Sequence, residues 1–256
     1  MPDQNRLPRL AVLIDADNIP ARHIEAVLDE IAGLGEPSVR RVYGDWSSQS
    51  LSQWKEKARS LGLVMHQQSA NTKGKNASDI GLVIDAMDIL HAAKVDGFVL
   101  VSSDSDFTRL ASRIREDGLQ VIGVGAEKTP ESLRKVCNRF IFIENIEQVA
   151  APTDAGQPVA PASTPATRTA PEPKAGPAGK RPPAEAIPLV VEAMKKIDPD
   201  QDWYSLGQLG QFLTQLSPDF DSRSYGKAKL SDLLRAIPRF EVKPGTANHL
   251  MVRDMA

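Results

Sequence analysis

The stretch FVLVSSDSDFTRL, residues 98–110, decides the fold of this 256-residue chain. Four apolar residues lead directly into SSDSD, which holds three serines and two aspartates, and an amphipathic segment follows. The spacing predicts a buried strand and then a helix over 105–117, with Phe107, Leu110 and Ile114 on one face. A strand followed at once by a helix is the repeating unit of a parallel sheet.

The same alternation of apolar runs and amphipathic segments extends over the first 149 residues. A helix is predicted over 77–91, with Ile80, Val83, Ile84 and Met87 on its buried face. This order predicts an α/β fold with a mostly parallel sheet, in which ligands gather at the carboxyl ends of the strands. The predicted strands are LAVLID (10–15), VRRVYGD (39–45), LVMHQ (63–67), GFVLVS (97–102), LQVIGVG (119–125) and FIFIE (140–144).

The composition is that of an ordinary globular protein, with 41% hydrophobic residues, 25% charged residues and a formal net charge of −2. Such a charge disfavours a strongly basic, histone-like binder. The sequence has no apolar run of the roughly 18–20 residues that a membrane span needs, and its start lacks the apolar core of a signal peptide. The single cysteine, Cys137, excludes an intramolecular disulfide and a cysteine-rich zinc site. We therefore expect a cytoplasmic protein without membrane contact.

The composition changes abruptly after about residue 150. The segment that follows consists almost entirely of Ala, Pro, Thr and Gly, and it cannot bury enough apolar area to offset its conformational entropy. The expected organisation is a folded unit at 1–149, a disordered Pro/Ala-rich linker at 150–184 and a second folded unit at 185–256 that moves independently of the first.

Acidic side chains occur where strands end or a helix begins. Like charges at close range raise each other's pKa and cost stability, so a fold that gathers them needs a cation. Oxygen ligands without His or Cys suit Mg²⁺ or Mn²⁺, which lowers the pKa of bound water and stabilises charge on a phosphodiester. The expected metal ligands are Asp15, Asp79, Asp104 and Asp106, with Asn18 as a supporting neutral group and Asp17 secondary. Ser102 and Ser103 are expected to bind RNA, through hydrogen bonds to its phosphate, or to hydrogen-bond the carboxylates.

Capping is the alternative interpretation of each of these residues. Asn18 before Ile19-Pro20 is a good helix N-cap, Ser103 with Asp106 fits a capping box, and Asp79 complements a helix dipole. Capping does not explain why three acidic segments fall at corresponding ends of predicted elements, so the metal interpretation is favoured. Lys73 and Lys75, on a Gly-containing loop before Asp79, are suited to holding an anionic backbone, although a plain solvated loop is also consistent with them.

Three motifs together resemble a known family. LIDADNIP, KGKNASDIGLVIDAMDIL and FVLVSSDSDFTRLASRIREDGLQVIGVG resemble the NYN domain of the PIN-like nuclease superfamily, LabA/DUF88 type, over about residues 9–146. The resemblance implies a Rossmann-like PIN fold and metal-dependent cleavage of RNA. By motif position it assigns catalytic roles to Asp15, Asn18, Asp79, Asp104 and Asp106, whereas Asp17 stands where the family often has another small residue.

The second unit is predicted to contain three short helices and a hairpin, which describes a winged helix. Its W-x-x-L-G-x-x-L, F-D-x-R-x-Y-G and K-L-x-x-L-L elements resemble the OST-HTH (LOTUS) domain over most of 187–253. The resemblance implies RNA or protein binding. A recognition helix is expected to start near Arg223 and Tyr225 and to carry Lys227, Lys229 and Arg235. The expected RNA contacts of this unit are Arg223, Tyr225, Lys227 and Lys229. Because basic and acidic residues are nearly equal in number in this second unit, its affinity for RNA is expected to be modest.

The sequence thus favours a Mg²⁺- or Mn²⁺-dependent endoribonuclease with a tethered RNA-binding winged helix. A second hypothesis is a non-catalytic RNA- or protein-binding adaptor with a vestigial acidic pocket. A third hypothesis is a phosphatase or phosphotransferase, because LIDAD matches a DxD nucleophile motif. Thr or Gly usually follows that motif, whereas Asn18 follows it here. The motif also does not account for the acids of the two other segments. The oligomeric state, the target RNA and the protein partner, if the second unit binds one, are not indicated by the sequence.

Overall fold

The structure, a computed structural model, describes residues 6–67, 77–150, 180–245 and 249–256. Six strands and six α-helices alternate in the first unit. Among the described residues, none of the helices combines the length and apolarity needed to cross a lipid bilayer. The elements are β1 (Arg9–Asp15), α1 (Ile24–Ala32), β2 (Glu36–Gly44), α2 (Ser52–Leu61), β3 (Val64–Gln67), α3 (Ala77–His91), β4 (Gly97–Val101), α4 (Thr108–Glu116), β5 (Gln120–Gly125), α5 (Glu131–Val136), β6 (Arg139–Phe142) and α6 (Ile143–Ala150).

The six strands form one parallel sheet in the order β3-β2-β1-β4-β5-β6. This is the doubly wound order, in which the chain leaves β1 towards one edge and returns at β4 towards the other. The predicted α/β fold with a parallel sheet is therefore confirmed. Asp15 ends β1, and β4 lies beside it, so that the ends of these two strands flank the topological switch point.

Hydrophobic side chains cover both faces of the sheet. One core packs α1, α2 and α6 against one face, and the other packs α3, α4 and α5 against the opposite face. The buried face predicted for α4 is confirmed, because Phe107, Leu110 and Ile114 are all within the second core.

The buried face predicted for α3 is partly wrong. Ile80 and Ile84 are 62% and 58% exposed, whereas Leu82, Ala86, Ile89 and Leu90 pack against the sheet. The helix is apolar on several sides, so its periodicity does not identify a single face. Hydrogen bonds to Asp85 near its middle, described below, also hold the helix against β2.

The second unit has three α-helices and a small antiparallel sheet around its own core. The predicted hairpin is present, and a short strand not expected from the sequence joins it, giving the order β7-β9-β8. The predicted winged helix is thus confirmed. Its elements are α7 (Ile187–Ile197), β7 (Tyr204–Ser205), α8 (Leu206–Leu216), α9 (Leu230–Arg235), β8 (Phe240–Pro244) and β9 (Leu250–Asp254).

The two units contact each other along the outer edge of β6. The backbone amide of Phe140 donates to the carbonyl of Pro218 at 2.8 Å, and Asn145 Nδ2 donates to Ser224 Oγ at 2.8 Å. Arg134 of α5 forms an ion pair with Asp219, which is itself only partly exposed. The linker predicted at 150–184 lies mostly outside the described residues.

Candidate metal centre

Asp15 lies at the switch point of the sheet and is almost completely buried. Its Oδ2 accepts a hydrogen bond from Ser102 Oγ at 2.8 Å, and Ser102 is the residue that follows β4. Its Oδ1 accepts the backbone amides of Asp17 and Asn18 at 3.1 and 3.3 Å. Asp15 therefore joins the ends of two neighbouring strands and shapes the loop after β1.

Ser102 extends this connection to the acidic loop after β4. Its Oγ accepts the backbone amide of Asp104 at 3.0 Å, and Asp104 Oδ1 in turn accepts the amide of Asp106 at 2.9 Å. A short 3₁₀ turn over Ser105–Phe107 follows and leads into α4. One run of hydrogen bonds thus fixes the acidic loop relative to Asp15.

Three carboxylates converge in front of Asp15. Asp79, Asp104 and Asp106 each present an oxygen within 4.8 Å of the other two, and no His or Cys belongs to this group. Asp79 comes from the first turn of α3, and the other two come from the loop after β4. Carboxylate oxygens at this spacing fit a hard divalent cation such as Mg²⁺ or Mn²⁺.

The electrostatics of Asp79 reflect this crowding. Burial, followed by the charges of Asp15, Asp104, Asp106 and Asp17, raises the pKa of Asp79 from 3.8 to about 6. Burial also raises the pKa of Asp15, against the opposing effect of hydrogen bonds from Ser102 and Asn18. Five carboxyl groups therefore share one electrostatic environment, and a bound cation would relieve their mutual repulsion.

The structure corrects two of the capping alternatives. Asn18 caps no helix, because the first helical turn, Ala21–His23, begins after Pro20; the Asn18 side chain instead hydrogen-bonds to Asp15. Ser103 is not the cap of the turn after β4, since Asp104 occupies that position. Ser103 Oγ accepts the amide of Ala126 at 2.8 Å and so ties the acidic loop to the end of β5.

Sequence reasoning missed a second polar cluster behind the carboxylates. Asp85 of α3 accepts hydrogen bonds from Arg41 and from the hydroxyl of Tyr43, both on β2. Partial burial acts to raise the pKa of Asp85, but these hydrogen bonds have the larger effect together and lower the pKa. Tyr43 is also the register partner of Asp15 in the sheet. The cluster therefore fastens the helix that carries Asp79 to the strand beside Asp15, a link between residues far apart in sequence.

The structure separates the predicted RNA-binding residues. Lys73 and Lys75 lie outside the described residues. Arg223 and Tyr225 belong to a short 3₁₀ turn, Ser222–Tyr225, and neither is presented to solvent: Tyr225 is 8% exposed and the Arg223 side chain 14%.

The predicted start of the recognition helix is wrong. Gly226 adopts a left-handed conformation that ends the turn, and α9 begins only at Leu230, since Lys229 occupies the N-cap position. Lys227 and Lys229 thus precede the helix rather than lie on it.

Comparison with known proteins gives matches to two family models and to several solved structures. A model of the NYN domain matches residues 9–144, and a model of the OST-HTH/LOTUS domain matches residues 180–252. A search of curated proteins finds no match.

Among solved structures, the crystal structure of a Vibrio parahaemolyticus protein of unknown function is 21% identical, with 56% of this chain and 98% of that chain covered and a TM-score of 0.47. The solution NMR structure of an uncharacterized Nitrosomonas europaea protein is 30% identical, with 40% of this chain and 93% of that chain covered and a TM-score of 0.24. The NYN match extends over more than half of the sequence and contains all five carboxylates of the site. The chain therefore belongs to the NYN domain family and carries an OST-HTH/LOTUS domain after its NYN domain.

Proposed function

We propose that the protein is a metal-dependent ribonuclease whose winged helix binds RNA. The observation that carries the proposal is the convergence of Asp79, Asp104 and Asp106 at the switch point of an NYN domain. An NYN domain indicates a nuclease-type fold, and an OST-HTH domain indicates RNA binding. The combination favours RNA as the substrate.

The donor set defines the cofactor class. Asp79, Asp104 and Asp106 would hold Mg²⁺ or Mn²⁺, and Asp15 would support them through Ser102. The ion would supply an activated water and would stabilise charge on the phosphodiester. Asn18, hydrogen-bonded to Asp15 at the rim of the site, is placed to orient a polar group of the substrate.

The winged helix would keep RNA near the carboxylates. Lys229 is exposed, and Lys227 lies beside it on the segment that enters α9. Because the winged helix and the NYN domain belong to one chain, RNA held by the first is presented to the second at a raised effective concentration.

Cleavage assays on the full chain test the proposal. Labelled single-stranded and structured RNAs are incubated with Mg²⁺, Mn²⁺ or EDTA, and wild type is compared with Asp104→Asn. The matched control is Asp88→Asn, which removes an exposed carboxylate of α3 outside the trio. We expect metal-dependent cleavage by wild type and Asp88→Asn, with a loss of at least 100-fold in Asp104→Asn, an order-of-magnitude figure for losing an essential ligand.

Cleavage that persists in EDTA or in Asp104→Asn would contradict the metal mechanism. RNA binding without cleavage in either metal would contradict the enzyme assignment and favour the adaptor. A fragment of residues 180–256, which has its own hydrophobic core, is then titrated with the same RNAs. Failure of this fragment to bind any of them would contradict the role of the winged helix and point to a protein partner.

A further inference from the structure

Basic residues gather around one turn at the junction of the two domains. The turn is Ser222–Tyr225, and Gly226 ends it in a left-handed conformation. The side chain of Lys180 lies across this glycine, with its Cδ 2.8 Å from the position that a Cβ at residue 226 would take. Arg181 donates its backbone amide to the carbonyl of Ser224 at 3.0 Å. The residues that begin the second domain therefore lie against the turn.

Two lysines follow the turn along the chain. Lys227 donates its backbone amide to the carbonyl of Ser222 at 3.1 Å, and Lys229 is exposed at the entry to α9. None of Lys180, Arg181, Lys227 and Lys229 forms an ion pair with a described residue. These four cationic side chains are thus available to an anionic ligand.

The NYN domain contributes a fifth basic residue from across a cleft. The cleft has a volume of about 590 Å³ and is lined by Glu30 and Arg139 of the NYN domain and by the turn, Lys229 and part of α8 of the winged helix. Arg139 is the first residue of β6, is only partly exposed and forms no ion pair with a described residue. Clefts between domains are common ligand sites. We call these five basic residues the junction patch: Arg139, Lys180, Arg181, Lys227 and Lys229.

The carboxylates that line the cleft are both bound by Arg223. Glu30 accepts hydrogen bonds from the two terminal nitrogens of its guanidinium, and Asp221 accepts one from its Nε. One guanidinium against two carboxylates leaves a charge of −1, and Arg139 and Lys229 bring the lining of the cleft to +1. The other three residues of the patch lie around the turn outside the cleft and add to its positive potential.

The junction patch is at the opposite end of the sheet from the metal centre. Arg139 begins β6, whereas Asp15 ends β1 and the acidic loop follows β4. All strands of a parallel sheet begin at the same end, so the carboxylates are about 20 Å from the patch, the length of a seven-residue strand such as β1. Salt screens exposed charges over about 8 Å at physiological ionic strength. The acidic site therefore does not repel an anion that binds at the patch.

We propose that the junction patch binds the phosphodiester backbone of RNA and that it is complete only when the two domains are docked. Lys and Arg side chains bind phosphates without reading the base sequence. Because Arg139 and Lys229 belong to different domains, RNA that contacts both favours docking, and docking strengthens RNA binding by the same factor. Arg223 and Glu30 are positioning residues for this surface. The inference rests on the proposed function and adds the NYN domain to the RNA-binding surface and docking as its regulation.

Binding of labelled RNA to the full chain tests the patch. The single-stranded and structured RNAs of the cleavage assays are titrated over a series of salt concentrations in EDTA, which prevents metal-dependent cleavage. Arg139→Gln and Lys229→Gln each remove one cation of the patch, and Lys55→Gln is the control, because Lys55 is exposed on α2 and lines no part of the cleft. Each patch variant should reduce the slope of log affinity against log salt by about 0.7–0.9, the value of one phosphate contact. Lys55→Gln should match wild type.

Glu30→Ala separates docking from simple charge attraction. The substitution removes a carboxylate beside the patch and leaves Arg223 with one carboxylate fewer, so charge attraction alone predicts tighter RNA binding. Loss of the ion pair between the domains predicts weaker RNA binding instead, by about fivefold or more, as is typical of coupling between two sites. The two explanations therefore predict changes in affinity of opposite sign.

A salt slope of Arg139→Gln equal to that of wild type would overturn the composite patch, and so would RNA binding by Glu30→Ala that is as tight as in wild type or tighter. Failure of wild type to bind RNA in EDTA would also overturn it and would point to an acidic protein segment as the ligand. These results are independent of the nuclease assignment. Wild type that cleaves RNA while all variants bind RNA equally well would retain the nuclease and overturn the patch. Wild type that shows the expected binding pattern but cleaves nothing would support the patch and contradict the nuclease.

Discussion

Arg223 of the winged-helix domain forms a two-pronged ion pair with Glu30 of α1 in the NYN domain, with N–O distances of 2.8 and 3.1 Å. The same guanidinium also binds Asp221, and although burial opposes it, these two carboxylates raise the pKa of Arg223. The pair is only partly exposed and spans 193 positions of the sequence. A residue expected to contact RNA thus connects the two domains instead.

Arg223→Ala should loosen the contact between the domains. The change leaves Glu30 without its partner, and we expect a coupling free energy of about 1–2 kcal/mol between Arg223 and Glu30 in a double-mutant cycle of thermal unfolding. Small-angle scattering should show a larger radius of gyration for Arg223→Ala. Arg235→Ala, which removes an exposed guanidinium of α9, should leave both quantities unchanged. Identical scattering of all variants would contradict the contact.

Asp79→Asn should stabilise the metal-free protein increasingly as pH rises. Because the pKa of Asp79 is raised from 3.8 to about 6, the folded state holds this proton more tightly than the unfolded state. The contribution of the Asp79 carboxyl group to the free energy of unfolding is favourable below pH 4 and is lost as pH rises through 6. The difference in Tm between Asp79→Asn and wild type should therefore grow between pH 4 and 7 in EDTA. A difference in Tm that stays constant between pH 4 and 7 for Asp79→Asn would refute the prediction.

Tyr43→Phe should weaken the position of α3 relative to β2. The substitution removes one hydrogen bond to Asp85 without changing the packing of the ring, and we expect a loss of about 1–2 kcal/mol in urea unfolding. Since Asp79 is on the same helix, the rise in Tm on adding Mg²⁺ should also be smaller than in wild type. Tyr204→Phe, which removes a hydroxyl bonded to the carbonyl of Asp198, should cost stability but leave the response to Mg²⁺ intact. An equal response in all three proteins would argue against the link.

Cys137 should react with iodoacetamide only when the NYN domain opens. Burial raises the pKa of its thiol to about 12, and its Sγ donates to the carbonyl of Leu133 at 3.2 Å. At pH 8 the native protein should remain unlabelled under conditions that label the urea-unfolded chain completely, as measured by intact mass. Rapid labelling of the native protein would show that this part of the second core opens locally.

Local patterns predicted the fold well because β1, β4, β5 and β6 are built on short apolar runs bounded by polar residues. The bounds of β1 to β6 differ from the predicted ones by three residues or fewer. The buried face of α3 was harder to predict, since Ile80 and Ile84 are as apolar as Leu82 and Ile89. Asp85 contacts Arg41 and Tyr43 of β2, and a local periodicity contains no information about such a contact between distant segments.

The carboxylates of the site were predictable because the ends of parallel strands meet at one edge of a sheet. The individual role of each carboxylate could not be predicted in the same way. Ser102 donates to Asp15, and this contact depends on the register between β1 and β4. Arg223 shows the same limit, because a partner in the other domain gives no signal in the sequence around it.

The hydrogen bond from Phe140 to Pro218 affects how the molecule can associate with copies of itself. A sheet with two open edges can add strands at both ends, so its pairing has no natural end and can grow into a fibre. Here the winged-helix domain occupies the β6 edge, and β3 forms the other edge of the sheet. Pairing through β3 alone would stop at two molecules. The contact of the second domain with β6 would thus leave edge-to-edge pairing of the described sheet to β3.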